Sequence, residues 1–250
     1  MASSHPFPFT AELMTHRDLA PDIFELTFRL HEPTRIKFRP GQFVSVRVSP
    51  TVWRVYSIAS APTREDGREF QLCIKLFKEK KEDGAEYIGK GSGYLKNLQV
   101  GDVVEFFGPG GNMPFEADDQ DDLILAGTGT GLAPLKSIAE YLTDLGSSRK
   151  MRLYLGVRFV EDVFYVQDMQ ELARRNPNFK FIHACSRAPE DHPGRCGRLP
   201  DILAADYPDG VPAGTTAYIC GGTKSSYGIR SQLVKLGMPE EKVHVEGFGG

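Results

Sequence analysis

Asp122-Leu123-Ile124-Leu125-Ala126-Gly127-Thr128-Gly129-Thr130-Gly131-Leu132-Ala133-Pro134 decides how the chain is read. The apolar run has the length and texture of a buried parallel strand, and a Gly/Thr-rich turn follows it at once. From Leu132 to Leu145 the apolar residues Leu135, Ile138, Ala139, Leu142 and Leu145 recur at helical spacing. Strand, glycine turn and helix in that order make a phosphate cradle. Glycines let the backbone approach a pyrophosphate, and a helix N-terminus offers unpaired N–H groups at the positive end of its dipole. Pro134 suits the first helical turn, where its missing N–H costs nothing. A Walker A loop is excluded, because Leu135 stands where the glycine before Lys136-Ser137 belongs. Pro134 also replaces the third glycine of the usual dinucleotide fingerprint, so a plain flexible connection remains the alternative.

The rest of the chain changes texture about this stretch. Residues 9–117 read as a run of short strands. Phe24–Leu30 and Phe43–Val48 alternate apolar and polar residues, and Arg54–Ala59, Phe70–Phe77 and Val103–Phe107 continue the series. Lys78–Gly84 reads as a charged, solvated loop, and Leu95–Val100 as a short helix or turn. Strands with turn punctuation and little helix predict a small antiparallel β-barrel. Residues 118–250 instead alternate strand and helix, with strands at Arg152–Gly156, Phe179–Ala184, Thr216–Cys220 and Val243–Glu246. Helices are expected at Phe164–Arg174, Leu199–Ala204 and Ser225–Leu236. That alternation predicts an α/β doubly wound parallel sheet. Residues 1–8 are expected to be a flexible tail.

Composition narrows the function classes. With 250 residues, 40% hydrophobic and 25% charged, the chain has the profile of an ordinary globular protein of two domains. A net charge of -3 gives no reason to expect nucleic acid or an anionic membrane surface. No apolar run is long enough to span a bilayer, so no membrane insertion is expected. Met1–Thr10 lacks the basic start and apolar stretch of a secretory signal. Cys73, Cys185, Cys196 and Cys220 form no C-x-x-C pair, so no metal is expected. Reduced thiols in a cytoplasmic protein are the simplest reading.

Three further clusters carry chemistry. Arg54-Val55-Tyr56-Ser57 offers a cation, an aromatic face and a hydroxyl, although an edge strand with outward polar residues would look the same. Gly89-Lys90-Gly91-Ser92-Gly93-Tyr94-Leu95 is a second glycine-rich turn with a hydroxyl. Cys220-Gly221-Gly222 ends a strand at the carboxyl edge, where open α/β sheets bind ligands. A buried free cysteine in a tight turn is its alternative.

Taken in order, Arg54-x-Tyr56-Ser57, Gly89-x-x-Ser92-x-x-Leu95, the Gly127–Gly131 turn with Pro134, Cys220-Gly221-Gly222 and Glu246-Gly247-Phe248 resemble the ferredoxin–NADP reductase superfamily, from about Phe9 to Phe248. The resemblance implies an FAD-binding barrel followed by a pyridine-nucleotide domain, with the flavin ring where the two meet. It implies that Arg54 pairs with the FAD pyrophosphate, that Tyr56 lies against the isoalloxazine, and that Ser57 hydrogen-bonds near flavin N5. Val55 belongs to the same cofactor-binding stretch. Gly91, Ser92 and Gly93 would cradle the pyrophosphate, and Ile74-Lys75-Leu76 would run beside the ribityl or adenine part. Gly127, Thr128, Gly129, Thr130 and Gly131 would hold the nicotinamide dinucleotide. Cys220, Gly221 and Gly222 would flank the nicotinamide, while Glu246 and Phe248 close the other face of the flavin. Ser57, Cys220 and Glu246 are the expected catalytic residues.

The activity so implied is an FAD-dependent NAD(P)H oxidoreductase that takes hydride onto flavin N5. The fused plant-type ferredoxin spacing is absent, so the acceptor would be a separate ferredoxin, flavodoxin or oxygenase component, or a small molecule. Lys75, Lys78, Lys80, Lys81 and Lys90 would suit an acidic ferredoxin, but Glu79, Glu82 and Asp83 interrupt them. Arg158, Ser186 and Arg187, just after two strands, suit a 2'-phosphate and lean toward NADPH over NADH. Ser186-Arg187-Ala188-Pro189 equally resembles NADH-using relatives. Rival readings are a flavin reductase with dissociable flavin and a non-catalytic electron-transfer subunit. A monomer or weak dimer is expected.

Overall fold

A computed structural model describes residues 6–81, 84–111, 113, 115–189, 192 and 194–248, with Phe248 described by its backbone alone. Residues 1–5 of the expected tail lie outside the described residues, and Phe7 and Pro8 already belong to a strand. The chain packs as two units, residues 1–112 and 113–250. The boundary expected at 117/118 falls a few residues inside the second unit. There Phe115 sets its ring 5.8 Å from that of Tyr218, and the Arg149 guanidinium donates to the Glu116 and Asp121 carbonyls.

The first unit contains β1 (Phe7–Ala20), β2 (Ile23–Glu32), β3 (Phe43–Ser49), β4 (Val52–Ser57), β5 (Glu69–Lys75), β6 (Lys78–Lys80), β7 (Glu86–Ile88), helix α1 (Lys90–Lys96) and β8 (Val103–Gly110). Six of these strands form an antiparallel sheet in the order β4-β3-β8-β1-β2-β5. A bridge between Ile58 and Leu72, with the Ala59 N–H donating to the Gln71 carbonyl, curls the two ends together into the expected barrel. Alternating inward residues fill it. Phe9 stacks on Phe106, and Phe28 on Phe70, at ring separations of 5.3 and 5.5 Å.

Two local expectations are corrected. Lys78–Gly84 is not simply a loop, since β6 pairs with β7 as a hairpin. Its residues are all exposed, so no apolar alternation announced it; Glu82 and Asp83 lie outside the described residues. Leu95–Val100, expected as a short helix or turn, turns at Asn97 and Val100 and holds the end of a helix that begins earlier and spans Lys90–Lys96. Its glycines argue against helix by propensity, yet fully buried Leu95 anchors the turn and tertiary packing prevails.

The second unit contains β9 (Asp122–Thr128), α2 (Leu132–Asp144), β10 (Met151–Val157), α3 (Val166–Arg175), β11 (Phe179–Cys185), β12 (Arg195–Cys196), α4 (Leu199–Asp206), β13 (Thr215–Gly222), α5 (Thr223–Lys235) and β14 (Val243–Phe248). Its six strands are all parallel, in the order β12-β11-β10-β9-β13-β14. β9 is buried from Leu123 to Gly127, as a central strand covered on both faces must be. Alternate β9 residues Ile124 and Ala126 join Leu199, Leu203, Ile229 and Leu233 of α4 and α5 in one core. α2, which carries the other fully buried run, packs with α3 instead. The chain leaves β9 toward β10 on one side and later returns through β13 on the other. The carboxyl ends of β9 and β13 are therefore the topological switch point, where such sheets open a crevice.

Candidate functional site

In the first unit, β4 presents the Arg54-Val55-Tyr56-Ser57 stretch. β4 is an edge strand except where its end closes the barrel, so Arg54 and Val55 are exposed and Tyr56 and Ser57 half-buried. Burial pushes the Tyr56 phenol up to about 12 against the pull of Arg54, so it is a neutral donor at physiological pH. α1 comes directly against this strand. A Cβ on Gly91 would stand 2.7 Å from Arg54 Cγ and 2.7 Å from Tyr56 Oη, and one on Gly93 would meet Ile88 at 2.9 Å. Gly91 thus brings the helix backbone onto the Arg54 and Tyr56 side chains, and Gly93 brings it onto Ile88. Ser92, 7% exposed, accepts from the Phe77 N–H at 3.0 Å and donates to the Gly89 carbonyl at 3.4 Å. Its hydroxyl fastens the turn. Ile74 is buried, Lys75 is exposed, and the Leu76 amide is engaged by the Asp22 carbonyl. Lys78 of the lysine cluster is paired with Asp22 at 2.7 Å, and Lys81 lies over the Tyr87 ring.

In the second unit, the Gly127–Gly131 turn, Cys220-Gly221-Gly222 and Glu246 converge at the switch point. Gly131 packs so tightly that a Cβ there would lie 2.2 Å from the Cys220 carbonyl oxygen. A Cβ on Gly127 would meet the Leu132 nitrogen at 2.9 Å, and one on Gly221, at φ 146°, would lie 2.1 Å from Thr128 Oγ1. Gly129 differs: at φ 54° it has nothing within 4 Å of its Cβ position. Three glycines hold the chain against itself, and Gly129 opens the turn outward next to Thr130. Pro134 sits in the first turn of α2, as its chemistry requires.

Cys220 and Glu246 are direct register partners across β13 and β14, and Gly222 is opposite Phe248. Burial pushes the Cys220 thiol strongly up, and the Glu246 charge adds to this, so the sulfur stays protonated. Burial also raises the Glu246 carboxyl. Its Oε2 atom is buried and has no hydrogen-bond partner. An orphaned buried acceptor is costly, and beside a glycine turn it fits a ligand that brings a donor. The side chain of Phe248, expected against the flavin, lies outside the described residues, as do Gly249 and Gly250.

Arg158, Ser186 and Arg187 are brought together at the ends of β10 and β11. The Ser186 N–H donates to the Val157 carbonyl at 3.0 Å and the Arg187 N–H to the Arg158 carbonyl at 2.8 Å. All three side chains are exposed. Sequence reasoning missed Phe159, whose ring lies 5.8 Å under the Arg187 guanidinium. Its position immediately after Arg158 was the available signal. Asp162, an acid close behind the second strand, accepts from the Phe159 N–H at 3.3 Å and is turned to its own backbone.

Comparison with known proteins gives both units counterparts. A family model described as an oxidoreductase FAD-binding domain matches residues 10–115, and one described as an oxidoreductase NAD-binding domain matches residues 125–225. A Ralstonia protein, the ferredoxin–NAD(P)(+) reductase component of naphthalene 1,2-dioxygenase/salicylate 5-hydroxylase systems, is 30% identical over 98% of this chain and 70% of its own length. A Marinomonas protein, one component of the Na(+)-translocating NADH-quinone reductase, is 32% identical over 86% of this chain. The chain spans only 53% of that relative. Among solved structures, the cytochrome P450 reductase GcoB of Amycolatopsis superposes with a TM-score of 0.83 at 27% identity, over 99% of this chain and 72% of the other.

Proposed function

The chain belongs to the ferredoxin–NADP reductase superfamily and is an FAD- and NAD(P)H-binding oxidoreductase; from that premise we propose that it oxidises NAD(P)H and delivers the electrons to a separate redox protein. Bound together, the two cofactors supply a two-electron transfer from nicotinamide to flavin, and flavin can release the electrons singly. The remaining work is done by the chain. Arg54 would hold the FAD pyrophosphate with the α1 backbone that Gly91 brings beside it, and Tyr56 would lie against the flavin ring. Ser57 would donate near the flavin N5 position. In the second unit, Gly129 and Thr130 would meet the nucleotide pyrophosphate. Cys220, kept neutral by burial, and Gly221 would position the nicotinamide. Glu246 would accept the donor that its buried Oε2 lacks.

The orphaned Glu246 oxygen opposite Cys220 carries this reading best. A plain nucleotide-binding module has no use for that pair. Ferredoxin or an oxygenase component is the favoured acceptor, because the Ralstonia relative is named as a reductase component of dioxygenase systems. Arg158, Ser186 and Arg187 support NADPH, while the Marinomonas relative is named for NADH. That relative also favours a second reading, in which the chain acts as one electron-transferring part of a larger assembly. No helix among the described residues is long and apolar enough to cross a membrane.

Anaerobic stopped-flow absorbance of the flavin-loaded protein tests the proposal. Rapid bleaching of the flavin band by NADPH or NADH is the expected result, with NADPH faster. A yellow protein that neither nucleotide bleaches would overturn the catalytic reading in favour of the larger-assembly reading. A colourless protein that reduces added flavin would replace it with a flavin reductase.

A further inference from the structure

Outside the cofactor cradles, two cysteines are register partners on neighbouring strands. β12 consists of Arg195 and Cys196 alone and lies at the edge of the parallel sheet. It pairs with β11 so that Arg195 is opposite Ala184 and Cys196 is opposite Cys185. Directly opposed residues on neighbouring strands carry their side chains on one face. Neighbouring strands run about 4.8 Å apart, inside the Cα separation of about 4.4–6.8 Å that a disulfide spans. The register is held from both sides. The Gly197 N–H donates to the Cys185 carbonyl at 3.1 Å, and Arg195 Nη2 donates to Asp206 Oδ1 at 2.5 Å. Asp206 in turn accepts from the Tyr154 hydroxyl at 2.9 Å, which ties the edge strand to the core.

The two thiols differ in access. Cys196 is exposed, with its sulfur 3.6 Å from the Gly194 carbonyl, whereas Cys185 is 1% exposed. Burial pushes the Cys185 thiol up, and Cys196, Asp162 and Glu161 add to that, so Cys196 is the one to meet an oxidant. An exposed thiol with a sheltered partner beside it is the arrangement that converts oxidation into a disulfide. The chain between them begins with Ser186 and Arg187.

We propose that Cys185 and Cys196 are a reversible redox pair whose disulfide closes the base of the segment carrying Ser186 and Arg187 and so tunes nucleotide binding. The tuning rests on the nucleotide role given to that segment above; the bond itself does not. The oxidant is hydrogen peroxide. The Cys196 sulfur attacks one peroxide oxygen, the O–O bond breaks, and a sulfenic acid and one water result. The Cys185 sulfur then attacks the Cys196 sulfur, the S–O bond breaks, and the hydroxyl leaves as a second water with the Cys185 proton. One peroxide is reduced and two thiols are oxidised, and a dithiol reductant reverses the change.

The test treats the flavin-loaded full chain with hydrogen peroxide, followed by non-reducing tryptic mass spectrometry. Trypsin cuts after Lys180, Arg187, Arg195 and Arg198, so the two cysteines fall on separate peptides. The expected product is the 181–187 peptide joined to the 196–198 peptide, lighter by two hydrogens than their sum and separated by dithiothreitol. The oxidised protein should show a several-fold change in KM for NADPH at unchanged flavin content, and Cys196→Ser should abolish both effects. Cys196 over-oxidised beside a free Cys185, or a dimer joined through Cys196, would overturn the pair. A formed bond with an unmoved KM would overturn the tuning. Arg187→Ala in the reduced protein tests the nucleotide role separately, so the two failures are distinguishable.

Discussion

Gly131→Ala is the sharpest perturbation of the switch point. Gly131 has an ordinary helical backbone, φ -60° and ψ -11°, so the added methyl costs nothing in torsion and by propensity alone would help. Its difficulty is space. The Cβ would lie 2.2 Å from the Cys220 oxygen, 2.5 Å from the Cys220 carbonyl carbon and 2.7 Å from Gly221 Cα. All three are backbone atoms, so no flexible side chain can swing aside. Restoring ordinary contact requires the turn and the end of β13 to separate by about 1 Å. Overpacking of this kind costs about 1–3 kcal/mol. A displacement of about 1 Å at a reacting centre is worth about 100-fold in rate. The variant should therefore keep its FAD, bound by the other unit, while kcat/KM for NADPH falls by about that factor and the melting temperature drops. Gly129→Ala is the control. It pays about 1–2 kcal/mol for a left-handed backbone but meets no atom of the chain, so it should destabilise with Cys220 left in place. Its methyl faces the proposed pyrophosphate position, so the loss should fall on KM for NADPH while kcat drops far less than in Gly131→Ala. A Gly131→Ala protein with unchanged melting temperature and kcat/KM would refute the packing argument.

Three further outcomes are expected. Tyr56→Ala removes the aromatic face and should weaken flavin retention by about 10-fold, from a ring contact of about 0.5–1.5 kcal/mol beyond area burial; undiminished flavin after gel filtration would remove Tyr56 from the site. Arg187→Ala should raise KM for NADPH by about 10-fold, the low end for a charge-assisted hydrogen bond at an exposed site, and leave NADH nearly unchanged. Equal losses would rule out a 2'-phosphate role. Glu246→Gln probes the orphaned carboxylate through pH. Burial raises its folded-state value, so the folded protein holds that proton more tightly, and stability falls as pH rises from the unfolded value through the folded one. Without nucleotide, the variant should be more stable near neutrality by about 1 kcal/mol, the low end for an unsatisfied group because Glu246 is only half-buried. The gap should close in acid, and parallel melting curves at every pH would defeat this account.

What the sequence made legible follows from how each feature is encoded. β9 and the Gly127–Gly131 turn were readable because a central parallel strand needs apolar residues on both faces and a tight turn needs glycine. The barrel was readable because half-buried strands alternate. β12 left no pattern, since its two residues owe their pairing to the Gly197 amide and the Arg195–Asp206 contact. The β6–β7 hairpin was hidden by charge, because neither of its faces is buried. The lone oxygen of Glu246 and the ring of Phe159 beneath Arg187 depend on which distant strands end side by side. The glycine turn shows the limit most clearly. A string of glycines after a strand reads as a single device for admitting a phosphate, yet Gly127 and Gly131 are there because backbone must touch backbone, and Gly221 answers them from β13. Within the turn, Gly129 alone faces open space. The close packing is what brings Cys220 and Glu246 to the turn, so glycines packed against backbone set the position of the groups proposed to act on the nucleotide.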